Sequence, residues 1–368
     1  MVKLREAVSA DYHQVQALDA RYHLGTLTEL EWQHLYAGSP FALRSGIEWP
    51  IGWVLETPEN IIVGHIGNVL VEYSLNKESL VGASANRWVV NLDYRKHSTE
   101  LAKSFFAQPQ VDLFLNTTAT WPSGRAFERL GALKPPIEAY DRATFWIVDH
   151  PAFAASLLAK KNIPLAQALG YPVGALLSVA SFVRSIGRCK PNRGALVSEI
   201  STFDEQFDRF WDGLRAQPNR LLCVRDRAAL AWRFDKPLRA GNAWVLVEND
   251  DAGRLASYAV FLRQDSPDVN LRRMRLVDFQ SLGDGASFLR RAIEYALARC
   301  YDESIHVLEV IGFGVLRKQQ IEVLAPYQRQ LPSWMFWYKA AERLPELAKS
   351  LQSPELWDPC TYDGDGCF

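Results

Sequence analysis

Two arginines, an aspartate and a tryptophan cluster in the stretch VRDRAALAWRFDKP, as Arg225, Asp226, Trp232 and Arg233. Guanidinium groups grip phosphate through paired hydrogen bonds, and an indole stacks on a sugar ring, so this cluster can bind a phosphate or a sugar. The same residues can equally form an internal salt-bridged corner. The last stretch, LWDPCTYDGDGCF, places Asp363 and Asp365 two residues apart. That spacing resembles the start of a calcium loop, but it is too short and lacks the remaining ligands. Five cysteines (Cys189, Cys223, Cys300, Cys360 and Cys367) are scattered and odd in number. With no C-x-x-C pair and no Cys/His cluster, they indicate neither a disulfide framework nor a zinc site, and they read as free thiols in a reducing compartment. Cys360 and Cys367 stand close enough in sequence to meet. No G-x-S-x-G, H-E-x-x-H, P-loop or dinucleotide fingerprint is present, and no metal is expected.

The chain that must position these groups has 368 residues, 48% of them hydrophobic, 12% aromatic and 23% charged. Two or three domains with a sizeable core follow, and a mainly disordered chain is excluded. Forty-one basic residues against 42 acidic ones leave a net charge of −1, which disfavours nucleic acid as a partner. The opening MVKLREAVSADYHQ lacks the apolar core of a signal peptide, so the expected location is cytoplasmic. One stretch departs from the average. Asn162–Val183 holds no charged residue and no histidine, while Lys160 and Lys161 precede it and Arg184, Arg188, Lys190 and Arg193 follow. It is long enough to span a bilayer, but Pro164, Gly170, Pro172 and Gly174 predict two shorter helices broken near 170–174. Three readings remain: a buried linker helix between domains, a helix lying in a membrane interface with a basic collar over 162–188, or a true span.

On either side of that stretch the same order of elements returns. The first half reads as a strand over Val2–Ala7, two helices, a hairpin around the turn Thr57-Pro58-Glu59-Asn60, a strand at RWVVNLDY, a helix at STELAKSFFAQ, a strand at VDLFLNTTA, a helix at SGRAFERLGA and a strand at ATFWIVD. The second half opens with a strand at ALVSEIST and a helix with Phe203, Phe207, Phe210 and Leu214 on one face. A hairpin, a strand at MRLVDFQ, a strongly amphipathic helix, a strand at SIHVLEVIGF and a final helix follow. Trp53-Val54-Leu55 matches Trp244-Val245-Leu246, and Val90-Asn91-Leu92 matches Val277-Asp278-Phe279, at offsets of 191 and 187 residues. The chain reads as an internal repeat.

The element order and the segment VNLDYRKHSTEL together resemble the GNAT superfamily of acyl-CoA N-acyltransferases. In that family a central strand runs into a loop Q/R-x-x-G-x-G/A that opens a helix and binds the pyrophosphate of coenzyme A. Val90 and Tyr94-Arg95 match the family pattern, Leu92 stands where proline is common, Ser98 takes the first glycine position and Glu100 the last small residue. The resemblance makes Arg95, Lys96, His97 and Ser98 cofactor-binding candidates, whereas the residues alone also read as a helix cap. In the second half Phe279, Gln280, Gly283, Asp284 and Gly285 align with the same loop, here with both glycines, although Gly-Asp-Gly is also a common turn. Phe127 falls where the family carries the tyrosine that protonates the leaving thiolate. For the second half the resemblance implies Asp278 as acceptor of the amine's proton and Tyr327, or else Tyr338, as the thiolate's acid. Asp278 also reads as a structural salt-bridged aspartate and both tyrosines as packing residues. VRDRAALAWRFDKP and the tail are similar to features of tandem GNAT-like proteins encoded with surface-polysaccharide pathways, which makes Arg225, Trp232 and Arg233 substrate-binding candidates.

The expectation is an α/β (α+β) protein of two GNAT-like domains, each a mixed, mostly antiparallel sheet flanked by helices. Their boundaries read as 1–150 and 194–345, with an apolar helical connector over 151–193 and a tail over 346–368. The resemblance implies an acyl-CoA or acetyl-CoA co-substrate and transfer to a primary amine, foremost an amino sugar in polysaccharide or glycolipid biosynthesis. Alternatives are N-acylation of a lipid amine, a non-catalytic binding protein of the same fold, and aminoacyl-tRNA-dependent transfer. The second half is favoured slightly for the donor.

Overall fold

The computed structural model describes residues 2–138 and 140–368. In chain order the first half forms β1 (Lys3–Glu6), α1 (Tyr12–Arg21), α2 (Glu29–Ala37), α3 (Pro40–Ser45), β2 (Gly52–Glu56), β3 (Ile62–Leu75) and β4 (Glu78–Val90). It continues with α4 (Ser98–Phe106), β5 (Leu113–Ala119), α5 (Trp121–Arg129) and β6 (Arg142–Ile147). A helical hairpin, α6 (His150–Lys160) and α7 (Ala166–Arg184), leads to the second half. There follow β7 (Ser198–Ile200), α8 (Glu205–Arg215), β8 (Leu221–Cys223), α9 (Arg227–Arg239), β9 (Ala243–Asn249), β10 (Leu255–Arg263) and β11 (Arg273–Ser281). The chain closes with α10 (Ala286–Asp302), β12 (Val307–Val310), α11 (Val315–Glu322), β13 (Tyr327–Gln330), β14 (Met335–Ala340) and α12 (Pro345–Ser350).

Local chemistry accounts for many of these boundaries. Thr28 caps α2 and exchanges bonds with Glu31, so both ends of a capping box are satisfied. Asp204 caps α8, whose Phe207, Phe210, Trp211 and Leu214 all face the core. Each such side chain contributes about 1.5–3 kcal/mol by leaving water. One continuous apolar cluster runs from Val69, Val71 and Leu115 in the first half to Trp244, Phe261 and Leu276 in the second, and a separate one in the first half gathers Leu55, Phe105 and Phe127.

Two mixed sheets result, ordered β1-β2-β3-β4-β5-β14, with β8 on the far end of β3, and β13-β6-β12-β11-β10-β9-β7. The two sheets exchange strands, and the first also takes β8 from the second half onto β3. β6 comes from the first half but lies between β12 and β13, antiparallel to both. β14 comes from the second half and pairs antiparallel with β5. The strand expected to close the first unit therefore sits in the second sheet. The exchange covers the edges that β5 and β12 would otherwise expose, and it ties the two units together.

The repeat is visible in the pairing register. Trp53 pairs with Ile66 and Trp244 with Phe261, so the second strands of the two halves correspond as expected. In each half the fourth strand carries one residue more than its neighbour. Arg87 and Trp88 stand opposite Ile66 alone, and Val277 has no counterpart between Val260 and Phe261. Following the ladders, Val89 corresponds to Asp278 and Val90 to Phe279. The matching expected from Val90 and Val277 is thus displaced by two residues.

The apolar stretch also differs from expectation. α7 is one continuous helix through Pro172. Gly170 and Gly174 do not break it; they let it approach α6. A Cβ on Gly170 would sit 2.8 Å from the Pro151 carbonyl oxygen, and one on Gly174 2.5 Å from Pro151 Cα.

Candidate active site

Beyond the bulges, each half opens a split in its sheet. The parallel ladder between β4 and β5 pairs only Gly82–Ser84 with Leu113–Leu115, although β4 runs on to Val90 and β5 to Ala119. The ladder between β11 and β12 pairs Arg273–Leu276 with Val307–Val310, and β11 continues to Ser281. A split between parallel strands leaves backbone donors and acceptors facing a gap that an extended ligand, or the protein itself, must satisfy.

In the second half the protein fills its own gap. The tail lies across it, with the Gly314 N–H donating to the Pro359 carbonyl (2.9 Å) and the Thr361 hydroxyl to the Ile311 carbonyl (2.7 Å). On the β11 side the Cys360 thiol donates to Asp278 at 3.2 Å. Arg225 seals the arrangement. Its Nε reaches both oxygens of Asp278 (3.1 and 3.2 Å), its Nη2 reaches Asp363 (2.9 Å), and Nη1 donates to the Cys223 carbonyl (2.7 Å). Tyr258 also donates to Asp278 (2.6 Å), and neither Arg225 nor Asp278 has exposed surface. Such a buried network is compensated only as a whole, so Asp278 reads as a structural anchor. The adjoining loop is also braced from within. Gly283 N–H donates to the Ser281 hydroxyl (3.2 Å), Ala286 N–H to Asp284 (3.4 Å), Arg317 to the Asp284 carbonyl (2.6 Å) and Gln320 to the Asp284 carboxylate (3.1 Å). Gly285 adopts φ +67°, with Ser281 Cβ 2.6 Å from where a Cβ would be, so its glycine is required by the turn itself. Gln280 is engaged by Arg220 at 3.2 Å, and Phe279 is buried beneath the Arg317 guanidinium.

The structure does not bring Asp278 and Tyr327 together. Tyr327 lies on β13, three strands from β11, on the order of 14 Å away across the sheet. Its hydroxyl bonds Ser181 (2.5 Å), and its ring carries Arg184. Tyr338, on β14, donates to the Leu351 carbonyl (3.2 Å) in the other sheet.

The cluster Arg225, Trp232 and Arg233 turns inward. Arg233 is buried, donates to the carbonyls of Tyr362 and Gly364, and stacks on the rings of Tyr362 (4.1 Å) and Phe368 (4.7 Å). Trp232 donates to the His34 carbonyl (2.9 Å) and packs on Phe368. Of the two readings open in the sequence, the geometry is the internal corner. The corner clamps the tail, so two motifs that looked separate form one unit.

The first split is held differently. Its apex is bridged by one side chain, Asp365, which accepts from the hydroxyls of Thr117 (3.0 Å) and Thr118 (2.7 Å) on β5. Burial raises the pKa of this carboxyl, against the opposing pull of those hydroxyls and of Asn86 on β4. Asn86 in turn accepts from the Tyr36 hydroxyl at 3.1 Å. At the outer end of β4 the segment Leu92–His97 forms a 3₁₀ turn running straight into α4, with Arg95 and Lys96 exposed. His97 faces Glu100 at 2.9 Å, and Ser98 is the first residue of α4. Phe127 is buried against Trp88, Phe105 and Phe106, so it packs where an acid would be needed. Asp365 was visible in the sequence only as half of an Asp-x-Asp pair. Nothing there signalled that the two aspartates serve opposite splits.

A polar cleft of about 380 Å³ opens between the halves, lined by Arg44, Glu72, Asp208, Trp211, Asp212 and Asp226 among others. It shares Arg44, Glu72 and Val224 with a narrow cavity that reaches Arg233 and Tyr362 beside the tail. Among the described residues no group of three or more His, Cys, Asp and Glu is placed to hold a metal ion.

This architecture is the GNAT fold. The chain is similar to Saccharomyces cerevisiae N-myristoyltransferase, crystallised with bound myristoyl-CoA, at a TM-score of 0.59 and 10% identity, over 92% of this chain and 79% of that one. It is similar also to a GCN5-related N-acetyltransferase from Kribbella flavida (TM-score 0.52, 8% identity, 92% of this chain and 71% of that one). A third relative in structure is a GCN5-related N-acetyltransferase from Anabaena variabilis (TM-score 0.50, 9% identity, 93% and 74%). At these identities the likeness is one of fold. No family profile matches the sequence, and no curated protein matches it.

Proposed function

We propose that the chain is an acyl-CoA-dependent N-acyltransferase that takes its donor in the first split, with the second half as scaffold. The observation that carries this reading is the contrast between the splits: one is filled by the tail and a buried ion network, and the other is bridged by a carboxylate with a raised pKa beside the Gly364 backbone packed on Thr117. The fold supports it, since a neighbour of the same architecture was crystallised with myristoyl-CoA. In this scheme the diphosphate of coenzyme A meets Arg95 and Lys96 at the head of α4, where cationic side chains and the helix N-terminus both favour an anion. The pantetheine extends into the gap between β4 and β5. Asp365 takes a proton from the acceptor ammonium, the neutral amine forms a bond to the thioester carbonyl carbon, and the C–S bond breaks as the nitrogen's second proton passes to the departing sulfur, so that the amide and the free thiol of coenzyme A result.

The acceptor we favour is a primary amine on a sugar in polysaccharide or glycolipid synthesis. Support comes from the polar cleft, where Glu72, Asp208, Asp212 and Asp226 interleave with Arg44, Lys77 and Arg215 in a lining suited to a polar sugar, and from its continuity with the cavity beside the tail. N-acylation of a lipid amine is the second reading, favoured by the exposed apolar surface of α7. Either acceptor suits a cytoplasmic protein working beside a membrane. The test is a thermal-shift series of the full chain with acetyl- to palmitoyl-CoA, repeated with Arg95→Ala/Lys96→Ala. Stabilisation by acyl-CoA is expected, with the double variant needing about 10-fold more ligand for the same shift. No shift with any chain length would leave a binding protein of this fold.

A further inference from the structure

α7 presents more apolar surface to solvent than a soluble helix normally does. Leu165, Tyr171, Leu176, Val179, Phe182 and Ile186 are each 67–79% exposed. Isolated exposed leucines are ordinary, but a continuous stripe along five turns of one helix is not. The stripe follows helical spacing, and the opposite face, with Gly170, Gly174 and Ser181, is the one packed against α6 and β13.

Ala166–Arg184 is long and apolar enough to cross a bilayer, with a mean hydropathy of 1.4 and only 17% of it buried. The geometry argues against crossing. At its first half α7 is locked onto α6 through Gly170 and Gly174, and at its end Ser181 bonds both His150 (2.7 Å) and Tyr327 (2.5 Å). Just beyond, Arg188 donates to the Glu322 carbonyl (2.8 Å) and Cys189 N–H to that of Leu324 (3.1 Å). Both ends are fastened to the same folded body, so the helix can lie in an interface but cannot thread through it.

Charge selects the partner. Residues 150–198 contain no aspartate or glutamate, and their six lysines and arginines stand at the two ends of the stripe. Arg193 is paired with Asp302 and Arg188 is half-buried, which leaves Lys160, Lys161, Arg184 and Lys190 exposed. An apolar stripe between basic ends matches the acyl boundary and the anionic headgroups of a lipid surface. A second copy of the chain would bring like charges together at both ends. We propose that α7 is an in-plane anchor that holds this protein on anionic membranes. The inference stands apart from the acyl-transfer reading, because it is tested with no acyl donor present.

The test is flotation of the full chain with phosphatidylcholine vesicles, with and without phosphatidylglycerol. Wild type is expected to float with the anionic vesicles and about 10-fold more weakly with the neutral ones. Leu176→Asp/Val179→Asp should lower binding to both, by at least about 10-fold. Lys160→Glu/Lys161→Glu/Lys190→Glu should lower binding to the anionic vesicles alone, by about 100-fold. The substituted positions are solvent-exposed, and unchanged melting of each variant checks its fold. Independently, Phe182→Cys carrying an environment-sensitive dye should shift to the blue on anionic vesicles; the five native cysteines are buried and escape labelling. Three results would overturn the proposal: wild type failing to float, flotation insensitive to Leu176→Asp/Val179→Asp, or a dimer that those substitutions dissociate.

Discussion

The two halves start from one plan and end in opposite states. Each has a bulge in its fourth strand and a parallel ladder that stops short. In the second half Arg225, Asp278 and Asp363 form a fully buried network that anchors Cys360 and Thr361 across the gap. In the first half the same tail arrives five residues later, bridges the split with the Asp365 carboxylate and packs Gly364 on Thr117. After duplication, one copy can surrender its ligand slot to hold a peptide that completes the slot of the other. On the proposed assignment, glycines in a loop are a poor guide to which copy takes the donor. Gly283 and Gly285 survive in a loop where the Gly283 and Ala286 amides bond within the loop and the turn itself needs Gly285.

The contrast is broken most severely at Asp365. Asp365→Asn should reduce turnover by about 10²–10⁴-fold while leaving thermal stability near wild type, because the amide still receives the threonine hydroxyls. The sign of its pH dependence follows from burial, which favours the neutral acid and lifts the pKa above the ordinary 3.8. The rate of wild type should rise with pH through that elevated value, and the acid limb should vanish in Asp365→Asn. Stability runs the other way: the contribution of this group is complete below the ordinary aspartate range and is lost as pH rises through the elevated one.

At Arg225 the expected effect is on folding. Arg225→Ala strands Asp278 and Asp363 without their cation and should cost about 3–5 kcal/mol in urea unfolding. Glu309 offers a second reading of buried charge. Burial alone would raise its pKa, but Arg275, Arg273 and Arg329 hold it down at about 2. Stability from Glu309 is thus present above its ordinary 4.5 and lost as pH falls toward about 2, a dependence that Glu309→Gln should flatten. A smaller change is expected at the phosphate end, where Arg95→Ala/Lys96→Ala should raise KM for the donor about 10-fold. Least is expected from Gly285→Ala. Its KM for the donor should be unchanged, although the left-handed backbone and the close contact with Ser281 should cost it more than about 1 kcal/mol of stability.

Much of the fold was legible because alternation and helical spacing are local signals. Trp53 and Trp244 open equivalent strands, and both helix–strand orders can be read without knowing the sheets. What was not legible was non-local. The exchange of β6 and β14 leaves no mark in either strand, since pairing with the partner sheet demands the same alternation as pairing with its own. The bulges at Arg87–Trp88 and Val277 displaced the repeat register by two residues, because an extra residue in a strand looks like any other in sequence. Pro172, with Gly170 and Gly174, read as a break, yet the glycines serve close packing and the helix runs on. At the site, Arg225, Arg233, Asp363 and Asp365 were all visible as residues capable of chemistry. That the arginines bind the tail, and that the tail divides its two aspartates between two splits, depends on contacts across more than a hundred residues.

The central claim, that the donor enters the first split and not the second, is tested most directly by amide hydrogen exchange of the full chain with and without acyl-CoA. Protection confined to the Leu92–Glu100 turn and the β5 end at Asn116–Ala119 is the predicted result. Protection of 281–290 and 310–320, with the first split unchanged, would contradict it.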